Sequence, residues 1–236
     1  MEEKEIRINK YLSEAGFCSR REGDKLVAEG VVTIDGEVAE MGAKVKPGQK
    51  VLVRGTSVVL EEEEVFLLFN KPRGIVCTAE KREKDNVVDY INYPIRIYPV
   101  GRLDKDSHGL LLLTNQGDLT NEILKASNYH EKEYVVRVNK PITGQFMMHM
   151  QSGVYLSELE KKTAPCKVKK IDDKTFSIIL TQGLNRQIRR MCRELDYHVR
   201  DLKRIRIMDF TLEGIGEGKY RTLSREEIQK LKNQLL

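Results

Sequence analysis

One stretch of this 236-residue sequence combines a flanked carboxylate with a rigid support. In Gly101-Arg102-Leu103-Asp104-Lys105-Asp106-Ser107-His108-Gly109, an aspartate stands between cations, and Leu110-Leu111-Leu112-Leu113-Thr114-Asn115 follows. A carboxylate at the mouth of an apolar strand is held in place, and Arg102 nearby favours its ionised form. Such a group serves as a base or as a nucleophile. Two other readings stand beside this one. The stretch also fits a polar loop leading into a core strand. Asp104 and Asp106 on one strand face would also suit a carboxylate pair for metal-assisted or acid–base hydrolysis, but no further acidic cluster nearby completes a metal shell.

A second chemical feature is a concentration of arginine. The formal net charge is only +5, and residues 1–55 carry ten Lys/Arg and ten Asp/Glu. Residues 185–206 carry eight Lys/Arg against three Asp/Glu. A local excess of this kind produces a potential that nucleic-acid phosphates can feel. The spacing predicts a helix over Gln187–Leu195 with Ile188, Met191, Cys192 and Leu195 as its buried stripe. Arg186, Arg190 and Arg193 then share the opposite face, free for phosphates, and Arg189 falls on the border, where it can reach toward a carboxylate. A solvated basic face without a partner is the alternative. Arg200, Lys203, Arg204 and Arg206 extend the patch.

These side chains need elements to hold them. Ile8, Tyr11, Leu12 and Ala15 follow a helical period that Gly16 can end, and Ser19 with Glu22 forms a capping box for a helix over Arg20–Glu29. Arg20, Arg21 and Lys25 lie together on that helix, as a solvated face or as a grip on a phosphate backbone. Asp35-Gly36 joins Val31–Ile34 to Glu37-Val38 as a hairpin, and Pro47-Gly48 turns the chain into Lys50–Val53. Glu61–Glu64 reads as a solvated connection.

Beyond it, strands are expected at Val65–Phe69, Leu110–Leu113, Tyr134–Val138, Ser177–Leu180 and Ile205–Met208. Helices are expected at Leu119–Ala126, Gln145–Gln151, Gln187–Leu195 and Arg225–Leu231. Strands and helices do not alternate regularly, which favours a mixed α+β sheet over a doubly wound one. Tyr134 shares a strand face with Val136 and Val138; it suits either a core position or a ring presented to a base.

Cys18, Cys77, Cys166 and Cys192 are widely spaced, which argues against a zinc site or a disulfide framework and suggests a reducing cytoplasm. Cys77 and Cys192 read as packing residues. No apolar run is long enough to span a bilayer, and the acidic N-terminus is unlike a signal peptide. Gly214-Ile215-Gly216-Glu217-Gly218 reads as a turn, since no dinucleotide-binding βαβ unit follows it, and there is no Walker motif.

Helix, Ser-Arg-Arg-Glu, helix, Glu-Gly-Val-Val and the Asp35-Gly36 and Pro47-Gly48 turns together resemble the S4 RNA-binding domain over residues 5–54. Residues 101–118 are similar to motif II of the RsuA/RluA-type pseudouridine synthases, whose invariant aspartate falls on Asp104. Ser107 stands where relatives often have Thr, which keeps the hydroxyl, and His108 occupies a variable position. Asn70-Lys71-Pro72-Arg73-Gly74, Lys132-Glu133-Tyr134 and Gly183–Met191 match three further motifs in order, and Gly183–Met208 resembles the RluF subgroup.

The resemblance implies isomerisation of uridine to pseudouridine in ribosomal RNA, here 23S rRNA near the peptidyl-transferase centre, without a cofactor or metal. It implies Asp104, Tyr134 and Arg189 as catalytic residues. RNA contacts are expected from Arg7, Lys10, Arg20, Arg21, Lys25, Lys71, Arg102, Arg186, Arg190, Arg193, Arg204 and Arg206. The expected architecture is an S4 domain (residues 1–55, αL-like), an acidic linker (56–64) and a mixed, mainly antiparallel catalytic domain (65–236). A cytoplasmic monomer acting on rRNA or a ribosomal assembly intermediate follows, with no membrane. A non-catalytic RNA-binding or ribosome-assembly factor, or the same chemistry on 16S rRNA or tRNA, is the alternative.

Overall fold

The computed structural model describes residues 5–61, 63–80, 82–125 and 129–235. The chain separates into two compact units at Glu64/Val65, with Pro94–Arg96 and Asn115–Gly117 grouped with the first.

In the first unit, β1 (Ile6–Arg7) leads into α1 (Ile8–Glu14), whose Ile8, Tyr11 and Leu12 are buried. Gly16 takes a positive φ of 73° just after it. Ser19 caps α2 (Arg20–Ala28), its Oγ accepting a hydrogen bond from Glu22 N at 3.2 Å. Next come β2 (Val32–Ile34), β3 (Glu37–Val38), β4 (Lys44–Val45), β5 (Val51–Val53) and β6 (Thr56–Val58). The order β3-β2-β5-β6 makes a four-stranded antiparallel sheet, and β4 pairs with β1. The expected hairpin forms with Asp35 and Gly36 both at positive φ.

A second hairpin was not expected. Arg54 and Gly55 also adopt positive φ, and β6 returns along β5. Val58 is buried, and Tyr11 Oη donates to its carbonyl at 3.1 Å. Residues 56–58, read from sequence as the start of the linker, are thus a strand in this sheet.

The second unit contains β7 (Phe66–Lys71), α3 (Val87–Ile91), β8 (Tyr98–Val100), β9 (His108–Thr114), α4 (Gly117–Leu124) and β10 (Lys132–Val138). Then follow α5 (Gly144–Ser152), β11 (Tyr155–Leu156), β12 (Lys161–Lys162), β13 (Lys167–Lys170) and β14 (Thr175–Leu180). The chain ends with α6 (Gln187–Glu194), β15 (Val199–Ile207), β16 (Phe210–Thr211), β17 (Tyr220–Thr222) and α7 (Arg225–Leu235). Ala126, where the helix expected over Leu119–Ala126 was to end, lies outside the described residues.

The main sheet runs β13-β14-β10-β15-β9-β7-β17, with β16 added to β15 and β8 to β9. Its pairs are antiparallel except β15 with β9. This is the mixed, mainly antiparallel α+β sheet expected. One core lies around α5 and α6, with Val136, Phe146, Met150, Phe176, Ile178 and Met191; the other lies around α7, with Phe66, Leu68, Leu110, Leu112, Ile228 and Leu231. β9 sits at the join and every one of its residues is buried, which explains its unbroken leucine run.

The parallel β9–β15 pair depends on Gly109. It has a φ of 103° and lies opposite Arg204, and a Cβ there would come 2.2 Å from the Arg204 carbonyl oxygen. Edge strands β13 and β17 escape sequence reading because they bury little: Val168 is the only buried residue of Lys167–Lys170.

Candidate active site

The loop from Gly101 to Ser107 is fixed from beneath. Leu103 is buried, and its N–H donates to Cys77 Sγ at 3.3 Å. Ser107 N donates to Asp104 O at 3.0 Å, closing a turn, and Gly74 N donates to Lys105 O at 2.8 Å. Lys71, at the end of β7, is fully buried. Its Nζ donates to the carbonyls of Pro72 and Ser107, both at 2.8 Å. Burial pushes this ammonium down from its ordinary range. Lys71 therefore ties the loop from inside and does not face a surface that RNA could reach, a correction to its expected role.

Asp104 emerges from this loop with its side chain 32% exposed, into a cleft of about 600 Å³. Arg186 Nη1 stands 3.6 Å and Arg189 Nε 3.9 Å from its Oδ2. Both separations are ion-pair distances too long for hydrogen bonds, so the two cations stand beside Asp104 without tying up its lone pairs. Arg189 is itself anchored, with Nη2 donating to Asp106 O at 3.3 Å and to Ser107 Oγ at 3.1 Å.

Asp106 meets the same two arginines more tightly. Arg186 grips it with two nitrogens, at 3.3 and 3.2 Å, and Arg189 Nη2 lies 3.3 Å from its Oδ2. Burial works to raise the Asp106 carboxyl. The Arg186 hydrogen bond and the charges of Arg189 and Arg186 outweigh it and hold the group below the usual carboxylate range. The two aspartates are thus not equivalent: Asp106 is consumed by structure and Asp104 is left open. Tyr134, on β10, lines the same cleft and packs against the core that contains Val136 and Val138.

Residues 65–194 match the family model for RNA pseudouridylate synthase, and residues 6–51 match the S4 domain. The chain belongs to the RNA pseudouridylate synthase family. It is 51% identical over 225 residues to "Dual-specificity RNA pseudouridine synthase RluF" of Escherichia coli (strain K12), covering 94% of this chain and 77% of that protein. It is 37% identical to "Ribosomal large subunit pseudouridine synthase B" of Bacillus subtilis, covering 96% and 95%. A solved structure titled "Crystal structure of pseudouridylate synthase" superposes with a TM-score of 0.70 at 28% identity, over 96% of this chain and 99% of that one.

Within this synthase fold the arginines of α6 are not free. Arg190 and Arg193 both pair with Glu158, and Arg190 also donates to Asn185 Oδ1 at 3.1 Å. Arg186 is held by Asp106. The expectation that all three remain open for phosphates therefore differs from the structure. Glu158 follows β11, far from α6 in sequence, and no local pattern points to it. Arg206 is likewise paired, at 2.9 Å with both Glu131 and Glu133, and Arg204 is buried at 3% exposure. Arg102 is exposed on the cleft rim.

In the S4 unit, Arg7, Arg20, Arg21 and Lys25 are exposed and make no ion pair among the described residues, while Lys10 lies 3.5 Å from Glu14. Sequence reasoning also missed a cluster in which His108 Nε2 lies 2.9 Å from Asp201 Oδ1 and Arg73 pairs with the same carboxylate. Its members come from three separate segments. Cys77 and Cys192 are buried, and burial pushes the Cys192 thiol up to about 12, which suits packing rather than nucleophilic chemistry. No helix among the described residues is long and apolar enough to cross a membrane.

Proposed function

We propose that this chain isomerises uridine to pseudouridine in ribosomal RNA, with a 23S uridine near the peptidyl-transferase centre as the target. The observation that carries the reading is the cleft itself. Asp104, Tyr134 and Arg189, from three distant segments, line it together, and Asp104 alone of the two loop carboxylates is left without a hydrogen-bonded cation.

In this reading Asp104 acts on the ribose of the target uridine, as a nucleophile at C1′ or as a base. The N1–C1′ bond breaks, the uracil turns, and C5 rejoins C1′. Arg189 stands beside Asp104 and orients it. Tyr134 stacks on the uracil and takes the C5 proton at the last step. The uridine must first leave its stack, at a cost of a few kcal/mol, and Arg102 on the rim fills the space it vacates. The first unit, which includes β6 (Thr56–Val58), forms the RNA-guiding domain, with Arg7, Arg20, Arg21 and Lys25 on the phosphate backbone, and residues 65–236 carry the chemistry. The protein works as a cytoplasmic monomer, on rRNA or on an assembly intermediate. Its four unpaired cysteines suit that compartment.

The test is tritium release from C5-labelled uridine in unmodified bacterial rRNA. Wild type should release tritium, and Asp104→Ala should lose at least about a hundredfold in rate while binding RNA as before. Turnover retained by Asp104→Ala would remove its catalytic role. No release by wild type from rRNA, from tRNA or from an assembly intermediate would favour a non-catalytic RNA-binding factor.

A further inference from the structure

The walls of the cleft carry an imbalance of charge that Asp104 does not answer. Six cationic side chains line it against a single carboxylate. Arg186 and Arg189 are engaged with Asp104 and Asp106. Arg102 and Lys161 are exposed to solvent, whereas Arg204 and Lys132 are withdrawn from it and make no ion pair among the described residues.

Arg204 is 3% exposed. Its Nε donates to Leu110 O at 2.6 Å, which fixes the guanidinium plane, and its Nη2 is buried without a hydrogen-bond partner. It sits opposite Tyr134 in the β10–β15 register, on the same cleft. Lys132 lies two residues before Tyr134 on β10, also in the cleft, with Nζ only 3.3 Å from the carbonyl of His130. Burial pushes its ammonium down, and the charge of Arg204 adds to that. Leu180, Leu202 and Ile207 supply apolar walls around them. A buried cation with an unused donor is costly unless something pairs with it, and low local polarity strengthens whatever does.

We infer that Arg204 and Lys132 form an anion subsite for the uracil ring, binding its carbonyl oxygens and stabilising the negative charge that develops on the base as it detaches. The inference rests on the isomerase reading above. When N1–C1′ breaks, the bonding electron pair leaves with N1, whether Asp104 attacks C1′ or removes a ribose proton. The product is a uracil anion with charge spread over N1, O2 and O4, and rejoining through C5 returns that pair to carbon. A planar, delocalised anion suits a buried guanidinium with one free edge. A backbone phosphate, bulky and solvated, suits the rim, where Arg102 stands. The same pair would keep the detached base in the cleft while it turns.

The experiment compares wild type with Arg204→Lys, Arg204→Met and Lys132→Met in single-turnover reactions at saturating RNA. The substrates are one RNA carrying uridine and one carrying 5-fluorouridine at the target, read as disappearance of the N1-linked nucleoside. Fluorine withdraws electrons and makes the base a better leaving group without help from the protein. On uridine RNA, Arg204→Met should be slower by roughly 10²–10³-fold, as when one preorganised donor to a developing anion is removed, with RNA affinity unchanged. Arg204→Lys should recover part of that, and the deficit should shrink on 5-fluorouridine RNA. Equal deficits on both RNAs, or no deficit, would overturn the subsite. If Arg204→Met does not fold, Lys132→Met carries the same comparison, with a smaller deficit and the same fluorine dependence. Failure of wild type on every RNA would instead overturn the isomerase reading and the subsite with it.

Discussion

Two arginine-rich helices in this chain look alike in sequence and differ in use. On α2, Arg20, Arg21 and Lys25 are exposed and make no ion pair among the described residues. On α6 and its first flanking residue, Arg186, Arg189, Arg190 and Arg193 all meet carboxylates: Asp104, Asp106 or Glu158. The density of positive charge is therefore not what separates an open basic face from one that organises a cleft. What separates them is which acids the fold brings within reach. On α2 the charges remain available for phosphates. On α6 they pair with the two acids of the Asp104 loop and with Glu158.

The strongest way to break this comparison is to remove the free charges. Replacing Arg20, Arg21 and Lys25 together by Gln should weaken RNA binding and flatten its salt dependence, by roughly 0.7–0.9 in log–log slope for each lost phosphate contact. Binding measured across a salt series decides it, and an unchanged slope would make α2 a merely solvated face.

A smaller effect should follow from Glu158→Ala. Freeing Arg190 and Arg193 turns α6 into a helix more like α2, so the salt slope should steepen by up to the same amount per released arginine. Stability should fall as well, by no more than about 1 kcal/mol for the exposed Arg193 contact and by more for Arg190, which is only 16% exposed and loses its carboxylate. A slope that stays put would mean that α6 does not meet phosphates even when released.

The smallest effect concerns acid stability. Asp106 titrates below its ordinary value of 3.8 in the folded chain. Its stabilising contribution is therefore full above the unfolded value and is lost as pH falls through the lower folded one. Asp106→Asn should be less stable than wild type near neutral pH, with the gap closing as acid protonates the wild-type carboxyl. Denaturant midpoints across that range provide the check, and parallel curves would remove the proposed asymmetry between the two aspartates.

Much of the framework was readable before any coordinates. Ser19 capping α2, the Asp35-Gly36 hairpin, the leucine run of β9 and the alternation of Tyr134, Val136 and Val138 are local patterns, each set by residues within a turn or a strand of one another. The border position of Arg189 was also legible, because helical geometry alone places it between the buried stripe and the basic face. The second hairpin at Arg54-Gly55 was not, since Arg is an uncommon residue at positive φ and Gly55 alone does not specify a hairpin.

By itself, then, the sequence determined many of the helices and core strands, the family-bearing motifs and the residues able to do chemistry. Only the tertiary structure decided which of those residues are open. Lys71 reads as an RNA-facing cation and is sealed under the Asp104 loop. Arg204 reads as one more positive charge in a patch, and it is buried beside Tyr134 because Gly109 lets β9 and β15 run side by side. Glu158, which no local pattern marks, engages two arginines of α6. The physical reason is the same in each case. A charge's availability depends on partners a few ångströms away in space, and those partners lie tens of residues away along the chain.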